Sequence, residues 1–529
     1  MSALAGTGQL LRLALRRDRI ILPLWVVLLA LFPASVAGSF KALYPDPVEL
    51  AKFAKSMIAS PSITGFYGPI FAPNLGQLSA WRSGILVIIA ALAVGLTVIR
   101  HTRNEEEQGR RELLGATVVG RPAQLAAALL LAFGASAVIG VLAALGLASA
   151  APGVGAWAFG LEYAVLCAFF GAVAGLAAQL TQSARTARWI FGAVLGGSFL
   201  LRAAGDADGD ENSVLSWISP IGFAQRIRPY AGERWWIGVV LIGVTVALGL
   251  WAYQLAGSRD IDAGLVAPRP GPPRAGRSLS SPLGLAWRLQ RGGLIGWLIG
   301  FAVISGVLGS AATTASDALK DSPELAEMFQ RLGGATALGD LFMVTLISIT
   351  AIAAAGQGIQ AAVRARTEET TGRLEPILAT AVGRSRWNAG YVLFALAGPA
   401  VSMLVVGLVG GLSYGGSAGD VAGQLPRIVG AALVALPAIW LTVAIVLALF
   451  GFAPKLVGAG WVLLAAFLLL GQLGAVLRLS QWALDLSPFT HVPHLPGGAL
   501  TWPPLIWLFV LSVALTVAGF AGFRRRDIG

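Results

Sequence analysis

The chain has 529 residues, of which 56% are hydrophobic and only 12% are charged. An ordinary soluble domain is about 25% charged, so this composition excludes a water-soluble globular enzyme. The net charge of +12 does not indicate nucleic acid as a partner, because no polar domain is long enough to present a basic face.

Long uncharged runs recur along the chain, and about 20 apolar residues cross a bilayer as a helix. The run from Pro122 to Leu161 is broken by Pro and Gly at residues 151–155, which separates two helices. The sequence therefore predicts an all-α polytopic membrane protein with twelve transmembrane helices. They are expected near residues 20–38, 83–99, 122–149, 156–180, 187–204, 235–256, 292–312, 340–362, 388–411, 428–451, 456–478 and 503–523.

The distribution of charge predicts that both termini are cytoplasmic. In that orientation most of the 38 Lys and Arg residues lie on cytoplasmic segments, as the positive-inside rule requires. The first apolar segment has no small-residue cleavage site after it and is followed by further spans, which favours a retained helix over a signal peptide.

The two halves of the chain repeat one charged pattern. Arg103-x-Glu105-Glu106-x-x-Gly109-Arg110-x-Glu112 recurs 263 residues later as Arg366-x-Glu368-Glu369-x-x-Gly372-Arg373-x-Glu375, and Ala116-Thr117-x-Val119-Gly120-Arg121 recurs as Ala379-Thr380-x-Val382-Gly383-Arg384. Leu13-Ala14-x-Arg16-x-x-Arg19 likewise recurs as Leu285-Ala286-x-Arg288-x-x-Arg291, and Arg259-Asp260-Ile261 as Arg526-Asp527-Ile528.

The repeat predicts the domain organisation. Residues 1–264 form the first half, residues 265–282 a Pro, Gly and Arg-rich cytoplasmic linker, and residues 283–529 the second half. Six crossings per half are an even number, so we expect two parallel six-helix repeats related by an axis along the membrane normal. Both copies of the charged pattern then lie in the cytoplasm, between the second and third helices of their halves.

Two interpretations of the charged pattern stand side by side. The charges could be solvated loop residues that only set the topology. The positive-inside rule counts positive charge, however, and does not explain the repeated glutamates. A docking surface for a soluble partner with two-fold symmetry explains them better. Its candidate residues are Glu105, Glu106, Gly109, Arg110, Glu112, Arg121, Glu368, Glu369, Gly372, Arg373, Glu375 and Arg384.

The same pattern between helices two and three resembles the signature of permease subunits of ABC-2 type exporters. The two-half form is similar to bacterial polyketide-antibiotic and multidrug exporter permeases. The resemblance implies a bacterial plasma-membrane protein that moves hydrophobic or amphipathic compounds outward. It also implies that coupling helices and amino-terminal connecting helices seat the chain on two copies of a cytoplasmic ABC ATPase, which binds ATP and Mg. The positions matching the connecting helices are Arg16, Arg19, Arg288 and Arg291. Pro376 departs from the pattern and is expected to interrupt the second coupling segment.

The chain itself carries no nucleotide site, because a P-loop ends in Gly-Lys and no Gly-Lys pair occurs. We therefore expect a transport permease without enzymatic activity, cofactor or metal. The one cysteine, Cys167, excludes a cysteine zinc cluster. His491 and His494 are three residues apart, but Pro493 and Pro496 disfavour a regular helix presenting both.

Glu162 lies about one turn into the fourth predicted span and has no acidic counterpart in the second half, and a charge inside a span is costly enough to suggest function. It could contact a cationic compound, carry a proton or hydrate through the end of its helix. A proton relay there would support the alternative function, a proton-coupled secondary drug transporter.

Other ionisable residues lie near the ends of predicted spans. Arg202 is expected to snorkel, Asp340 to cap a helix, and residues 206–211 to form a solvated acidic loop. The candidate substrate path comprises Glu162, Phe169, Phe170, Phe191, Phe199, Met403, Trp440 and Phe467.

Overall fold

The computed structural model describes residues 3–58, 61–110, 119–206, 213–260, 263–266, 273–320, 335–473 and 480–527. The chain divides into two compact units, Met1–Gly271 and Pro272–Gly529, called unit 1 and unit 2. Regular structure in the described part of both units is helical throughout, in agreement with the all-α prediction.

In unit 1 the helices follow the apolar runs, with short helices between them. They are α1 (Thr7–Arg17), α2 (Ile21–Leu43), α3 (Pro47–Ile58), α4 (Pro61–Tyr67), α5 (Leu75–His101), α6 (Arg103–Glu107), α7 (Ala123–Ala150), α8 (Val154–Leu180), α9 (Ala184–Asp206), α10 (Val214–Ile218), α11 (Pro220–Gln225) and α12 (Trp235–Ser258).

Unit 2 is also built from long helices with short helices between them, and its start differs from that of unit 1. The helices are α13 (Pro282–Lys320), α14 (Ala335–Thr370), α15 (Leu374–Leu378), α16 (Arg384–Ala418), α17 (Val421–Val434), α18 (Leu436–Phe452), α19 (Ala459–Leu473), α20 (Gln481–Leu484) and α21 (Trp502–Arg525). In unit 1 a turn at residues 18–20 separates α1 from the first long helix, whereas α13 runs through the equivalent position without interruption.

Ten helical segments within the described residues are long and apolar enough to cross a membrane, two fewer than predicted. They are Ile21–Leu43, Leu75–Glu107, Ala123–Ala150, Val154–Leu180, Trp235–Ser258, Pro282–Ser310, Phe342–Thr370, Arg384–Ala418, Val421–Phe452 and Trp502–Arg525.

The other two predicted spans are helical but differ in composition or length. The helix α9 carries four charged residues near its ends, namely Arg185, Arg188, Arg202 and Asp206, which lowers its hydropathy. The apolar part of α19, Ala459–Leu468, is shorter than a bilayer crossing, and residues 474–479 of this predicted span lie outside the described part of the chain.

Glycines let the long helices of each unit approach closely. A Cβ on Gly140 of α7 would lie 2.4 Å from the Gly160 carbonyl oxygen of α8, and a Cβ on Gly160 would lie 2.5 Å from the Gly140 oxygen. In unit 2 a Cβ on Gly451 of α18 would lie 2.2 Å from the Gly519 oxygen of α21. Such contacts replace the hydrophobic effect as the source of helix association in lipid.

Contacts show which helix ends lie together in unit 1. We call the end that holds Glu106 the motif end. At this end the Ala184 amide, at the start of α9, donates to Glu107 Oε1 over 2.8 Å. At the far end of α9, Arg202 donates to the Phe66 carbonyl oxygen over 2.6 Å, and Phe66 precedes α5. The helix α9 therefore runs between the same two ends of the unit as α5.

Unit 2 has a corresponding pair of ends, with Glu369 at its motif end. Arg526 stacks over the Phe450 ring at 4.9 Å, which places the end of α18 at the motif end. A Cβ on Gly497 would lie 3.2 Å from Asp340 Oδ2, close to the start of α14. The chain thus passes from one end of unit 2 to the other between Phe450 and Gly497, the stretch that contains α19.

Three expectations about ionisable residues are wrong, because each side chain finds a buried partner. Arg202 does not snorkel: it is 0% exposed and lies 3.8 Å from Asp206. Asp206 is also buried and accepts a hydrogen bond from Ser216 over 2.5 Å, so this first residue of the acidic run is not solvated. Asp340 lies inside α14 and accepts a hydrogen bond from Arg427 over 2.8 Å, so it is no helix cap.

Candidate functional site

The charged pattern lies where the second long helix of each unit ends. In unit 1, α5 continues briefly as α6, and Gly109 then turns the chain with a φ of 68°. In unit 2, α14 runs to Thr370, and Gly372 turns the chain with a φ of 70°. Neither glycine is crowded, so the left-handed backbone angle accounts for glycine at both positions.

The second glutamate of each copy pairs with the arginine that follows the last long helix of the same unit. In unit 1, Arg259 Nη2 donates to both oxygens of Glu106, over 2.8 and 3.0 Å. In unit 2, Arg526 Nη2 donates to Glu369 Oε2 over 2.6 Å. We call these two ion pairs the glutamate–arginine clamps. In unit 1 the clamp ties α6, which follows the second long helix, to the end of α12, and in unit 2 it ties the last turn of α14 to the end of α21.

A further arginine from the charged pattern completes each clamp. Arg103 Nη1 donates to Glu106 Oε2, and its other nitrogens donate to the Ala178 carbonyl oxygen at the end of α8, over 2.7 and 3.0 Å. Arg366 lies 3.1 Å from Glu369 Oε2. The segments held together are thus the ends of three long helices in unit 1.

The glutamates of both clamps are buried, so loss of an arginine partner would leave a buried carboxylate without its counter-charge. Glu106 is 4% exposed and Glu369 is 9% exposed. Arg259 Nε also donates to Gln179 Oε1 over 2.7 Å, whereas Glu369 Oε1 has no hydrogen-bond partner within the described residues. An unpaired buried charge is costly, so these glutamates hold the segment in place rather than presenting their carboxylates to solvent.

The first glutamate of each copy has different partners in the two units. Glu105 pairs with Arg17 of α1 over 2.8 Å and with Arg110 over 3.3 Å. The hydrogen bond with Glu105 raises the pKa of the Arg17 guanidinium above its ordinary value. Glu368 instead pairs with Arg364 over 3.3 Å and lies 3.9 Å from Arg373. The connecting helix is therefore tied to the charged pattern in unit 1 through Arg17, at a position where the repeat has Leu289 in unit 2.

A second contact secures α1 in unit 1. Asp18 follows α1, is 2% exposed, and lies 2.6 Å from His101 Nε2 and 3.0 Å from Arg100 Nη1. The repeat places Gln290 and Arg364 at the positions of Asp18 and His101. The Asp18–His101 pair of unit 1 is therefore not kept in the sequence of unit 2.

The predicted docking residues divide into a buried set and an exposed set. The four glutamates Glu105, Glu106, Glu368 and Glu369 are buried. Glu112 lies outside the described residues, and Gly109 is half-buried. Exposed members are Arg110, Arg121, Gly372, Arg373, Glu375 and Arg384, and the connecting-helix residues Arg16, Arg19, Arg288 and Arg291 are exposed as well.

Pro376 does not interrupt the second coupling segment, contrary to the prediction. It lies in the short helix α15, two residues after that helix begins at Leu374. Proline is tolerated in the first turn of a helix because the amide hydrogens there have no partner within the helix. Glu375 beside it is exposed, at the surface of this short helix.

Sequence reasoning missed Arg259 and Arg526 as members of the site. Both were recognised as part of a repeated Arg-Asp-Ile triplet, but no role followed from the triplet alone. The sequence does contain an indication of this pairing. Each half has one repeated acidic pattern, the paired glutamates, and one repeated Arg-Asp-Ile triplet, and both are predicted at the same membrane face. Pairing the acidic pattern with the basic one would have identified both clamps.

The aromatic residues of the candidate substrate path lie in the packed cores of their units. Phe170, Phe191 and Met403 are 0% exposed, and Phe169 and Phe467 are also buried. The Phe191 ring packs directly on Gly95 of α5. Phe199 and Trp440 are half-buried, and Trp440 donates its indole hydrogen to the Leu396 carbonyl oxygen over 2.9 Å. A role of these residues in lining a path stays a prediction.

Comparisons with known proteins identify relatives along the whole chain. A family model described as "Multidrug efflux system permease Rv1217c, C-terminal domain" matches residues 279–524. The chain is 44% identical over 529 residues to the multidrug efflux system permease protein Rv1217c of Mycobacterium tuberculosis (strain ATCC 25618 / H37Rv). That alignment covers 100% of this chain and 96% of the relative.

Proposed function

This chain belongs to the family of multidrug efflux system permeases, and we propose that it is the membrane permease subunit of an ABC exporter for hydrophobic or amphipathic compounds. The relative's name describes a permease of a multidrug efflux system. The observation that carries the proposal for this chain is the glutamate–arginine clamp, which occurs at repeat-equivalent positions in both units.

The clamp suits a protein that receives mechanical work from a partner. It joins the carboxyl-terminal end of the second long helix or the short helix after it to the end of the last long helix, through a buried glutamate. A displacement of that segment would therefore move two helices of the unit together. In the proposal, an ATPase dimer that closes on ATP and Mg supplies the displacement, and the permease converts it into a change of its transport path.

The proposed docking surface consists of the exposed members of the coupling segments and connecting helices. Glu375 lies in the short helix α15 of unit 2, and Arg384 begins the next helix, α16. Arg16 and Arg19 lie at the end of α1 in unit 1. The buried glutamates act as positioning residues that hold these exposed groups in register for two copies of a cytoplasmic ABC ATPase.

Six crossings in each half are part of the proposal, and the helix ends support them. In unit 1, α9 contacts Glu107 at the motif end and Phe66 at the other, so its 23 residues cover the same thickness as α5. At 1.5 Å per residue this is about 35 Å, enough for a bilayer. In unit 2 the stretch between Phe450 and Gly497 also joins opposite ends.

Twelve crossings would place both termini on the same side of the membrane, and we propose that this is the cytoplasmic side of a bacterial plasma membrane. An even number of crossings per half would place both motif ends at the cytoplasmic face, where a dimeric ATPase can reach them. The excess of Lys and Arg on the segments expected there agrees with this orientation.

The test is purification of the tagged chain from its native membrane in mild detergent. Co-purifying chains are identified by mass, and ATP hydrolysis is measured with and without candidate drugs. The proposal requires a soluble ATPase at two copies per permease and hydrolysis that changes with drug. A chain that purifies alone from cells that still export, with no ATPase required for that export, would overturn it.

A further inference from the structure

A small cavity near the opposite end of unit 1 is lined by a carboxylate and by two amide oxygens that accept no hydrogen bond from a described residue. It lies beneath the turn that precedes α12 and leaves about 20 Å³ for a water molecule or a small ion. Its polar lining residues are Glu162 of α8, Gln77 of α5 and Gln225 of α11. The remaining lining residues are Pro69, Phe71, Ala80, Trp81, Gly84 and Pro229.

Glu162 is the ionisable residue of this lining, and no described residue forms an ion pair with it. Its side chain is 6% exposed. The nearby guanidiniums have other contacts: Arg82 lies over the Tyr67 ring at 4.6 Å, and Arg228 over the Phe71 ring at 4.4 Å. The Trp81 indole donates to the Gly68 carbonyl oxygen over 2.8 Å and is not available to the carboxylate. A buried carboxylate without a counter-charge costs several kcal/mol.

Two amide oxygens at the same cavity also have no partner. Gln77 Oε1 and Gln225 Oε1 are both buried and accept no hydrogen bond from any described residue. The orientation of the Gln225 amide is set by its own nitrogen, which donates to the Tyr67 carbonyl oxygen over 3.1 Å. The backbone of Gln77 is also held in place, because its backbone N–H donates to the Asn74 side-chain oxygen over 2.8 Å.

The geometry points to a binding site for a small monovalent cation, Na⁺, held by the Glu162 carboxylate and the amide oxygens of Gln77 and Gln225. Hard cations take oxygen ligands, and a bound Na⁺ would satisfy the three acceptors and neutralise the single negative charge together. A proton on Glu162 would supply one donor and leave an amide oxygen unsatisfied. The volume excludes a drug-sized occupant, since such ligands need a pocket of about 300 Å³ or more.

The cation would link three segments of unit 1 at the end opposite the clamp. Glu162 comes from α8, Gln77 from the first turn of α5, and Gln225 from the end of α11. The site does not depend on the proposed ATPase partner, because every ligand comes from this chain. Its failure and that of the exporter proposal are therefore distinguishable.

The test measures binding of ²²Na⁺ to the purified full chain in detergent, with unlabelled Na⁺ or choline as competitor. Saturable binding that Na⁺ displaces and choline does not is expected. Absence of saturable binding would overturn the proposal without any variant. Thermal unfolding at constant ionic strength provides a second readout: Tm should be higher by about 1–3 °C in NaCl than in choline chloride, since a ligand that binds only the folded state stabilises it.

Two variants connect the effect to the cavity. Glu162→Gln should lose at least 10-fold in Na⁺ affinity, and so should Gln77→Leu, which leaves the carboxylate in place. Glu49→Gln is the matched control, because Glu49 is an exposed glutamate of α3 in the same unit. Sodium binding retained in Glu162→Gln would overturn the assignment. Stabilisation of the wild type by falling pH alone, with no difference between Na⁺ and choline, would show a protonated carboxyl and would also overturn it.

Discussion

Arg526 donates to Glu369 over 2.6 Å although 157 positions separate the two residues along the chain. Arg259 and Glu106 make the equivalent contact in unit 1 with a separation of 153 positions. The separations differ because the interval between the two repeated patterns is longer in unit 2. In both units a glutamate near the end of the second long helix meets an arginine that follows the last long helix.

The first prediction concerns the clamp of unit 2. Glu369→Gln should lower the free energy of unfolding by about 2 kcal/mol, because the half-buried Arg526 guanidinium then lacks its full counter-charge. The measurement is thermal or denaturant unfolding of the detergent-purified protein. Glu49→Gln serves as the control at an exposed position.

A double-mutant cycle separates the ion pair from other effects of the substitution. Arg526→Leu and the double variant with Glu369→Gln complete the cycle, and the double variant should cost less than the sum of the single variants. Strictly additive costs would show that the two side chains do not stabilise one another.

The second prediction concerns the exposed coupling surface. Glu375→Arg should leave the unfolding midpoint within about 1 °C of wild type, because an exposed substitution changes stability little. It should reduce the ATPase that co-purifies by at least 10-fold, because it reverses charge at the proposed docking surface. Quantitative pull-down from membranes measures this.

The matched control for Glu375→Arg is Glu49→Arg, which reverses an exposed charge at the other end of a unit. It should retain the ATPase in full. Recovery of the same amount of ATPase with both variants would count against docking at α15.

The third prediction concerns the repeated glycine. Gly372→Ala should cost about 1 kcal/mol, because its φ of 70° is unfavourable for a residue with a Cβ while no neighbour blocks the added atom. Gly372→Asn should cost less, because asparagine tolerates the left-handed region. Unfolding of the two variants gives the comparison. Equal costs for alanine and asparagine would show that backbone strain is not the cause.

The fourth prediction concerns the membrane crossing of α9. Gln182 is an exposed residue just before this helix, and Val214 is an exposed residue at the start of α10, the next helix. Cysteines introduced singly at these positions should react with a membrane-impermeant maleimide from opposite sides, in inverted vesicles for position 182 and in intact cells for position 214. The native Cys167 is buried and provides a low background. Labelling of both positions from one side would reduce unit 1 to five crossings.

The fifth prediction concerns the connector. Residues 273–276 are exposed, so cutting the chain there and co-expressing the two parts should preserve transport. Drug accumulation in cells measures the outcome. Loss of efflux with both parts present in the membrane would assign the connector more than a tethering role.

Much of the site could be predicted from repetition. Glu106 and Glu369, with Gly109 and Gly372, stand out because a second copy appears at a constant spacing, and chance does not keep such a pattern. What repetition does not reveal is whether a carboxylate faces solvent or a neighbouring helix. A glutamate serves equally well for a solvent-facing carboxylate and for one that pairs with a neighbouring helix. The docking interpretation therefore included both buried and exposed glutamates.

The errors at Arg202, Asp206 and Asp340 have one physical origin. Each residue lies near the end of a predicted span, where hydration or capping satisfies a charge locally. Each instead meets a partner that the chain order does not indicate, as Asp340 meets Arg427 across 87 positions. Arg202 likewise reaches the Phe66 carbonyl oxygen across 136 positions. Pairing of this kind depends on which helices pack together. A helix that is apolar on all sides gives no periodic signal for the face that meets a given neighbour.

The sequence by itself determined the class of protein, the helical architecture and the positions of the repeated charged pattern, because bilayer thickness and backbone hydrogen bonding restrict a chain this apolar to membrane helices. Only the tertiary structure decided that the paired glutamates are buried, that Arg259 and Arg526 hold them, and that Glu162 shares a cavity with two unsatisfied amides. Those properties depend on distances between helices far apart in the chain, and charge pairing acts over only a few ångströms.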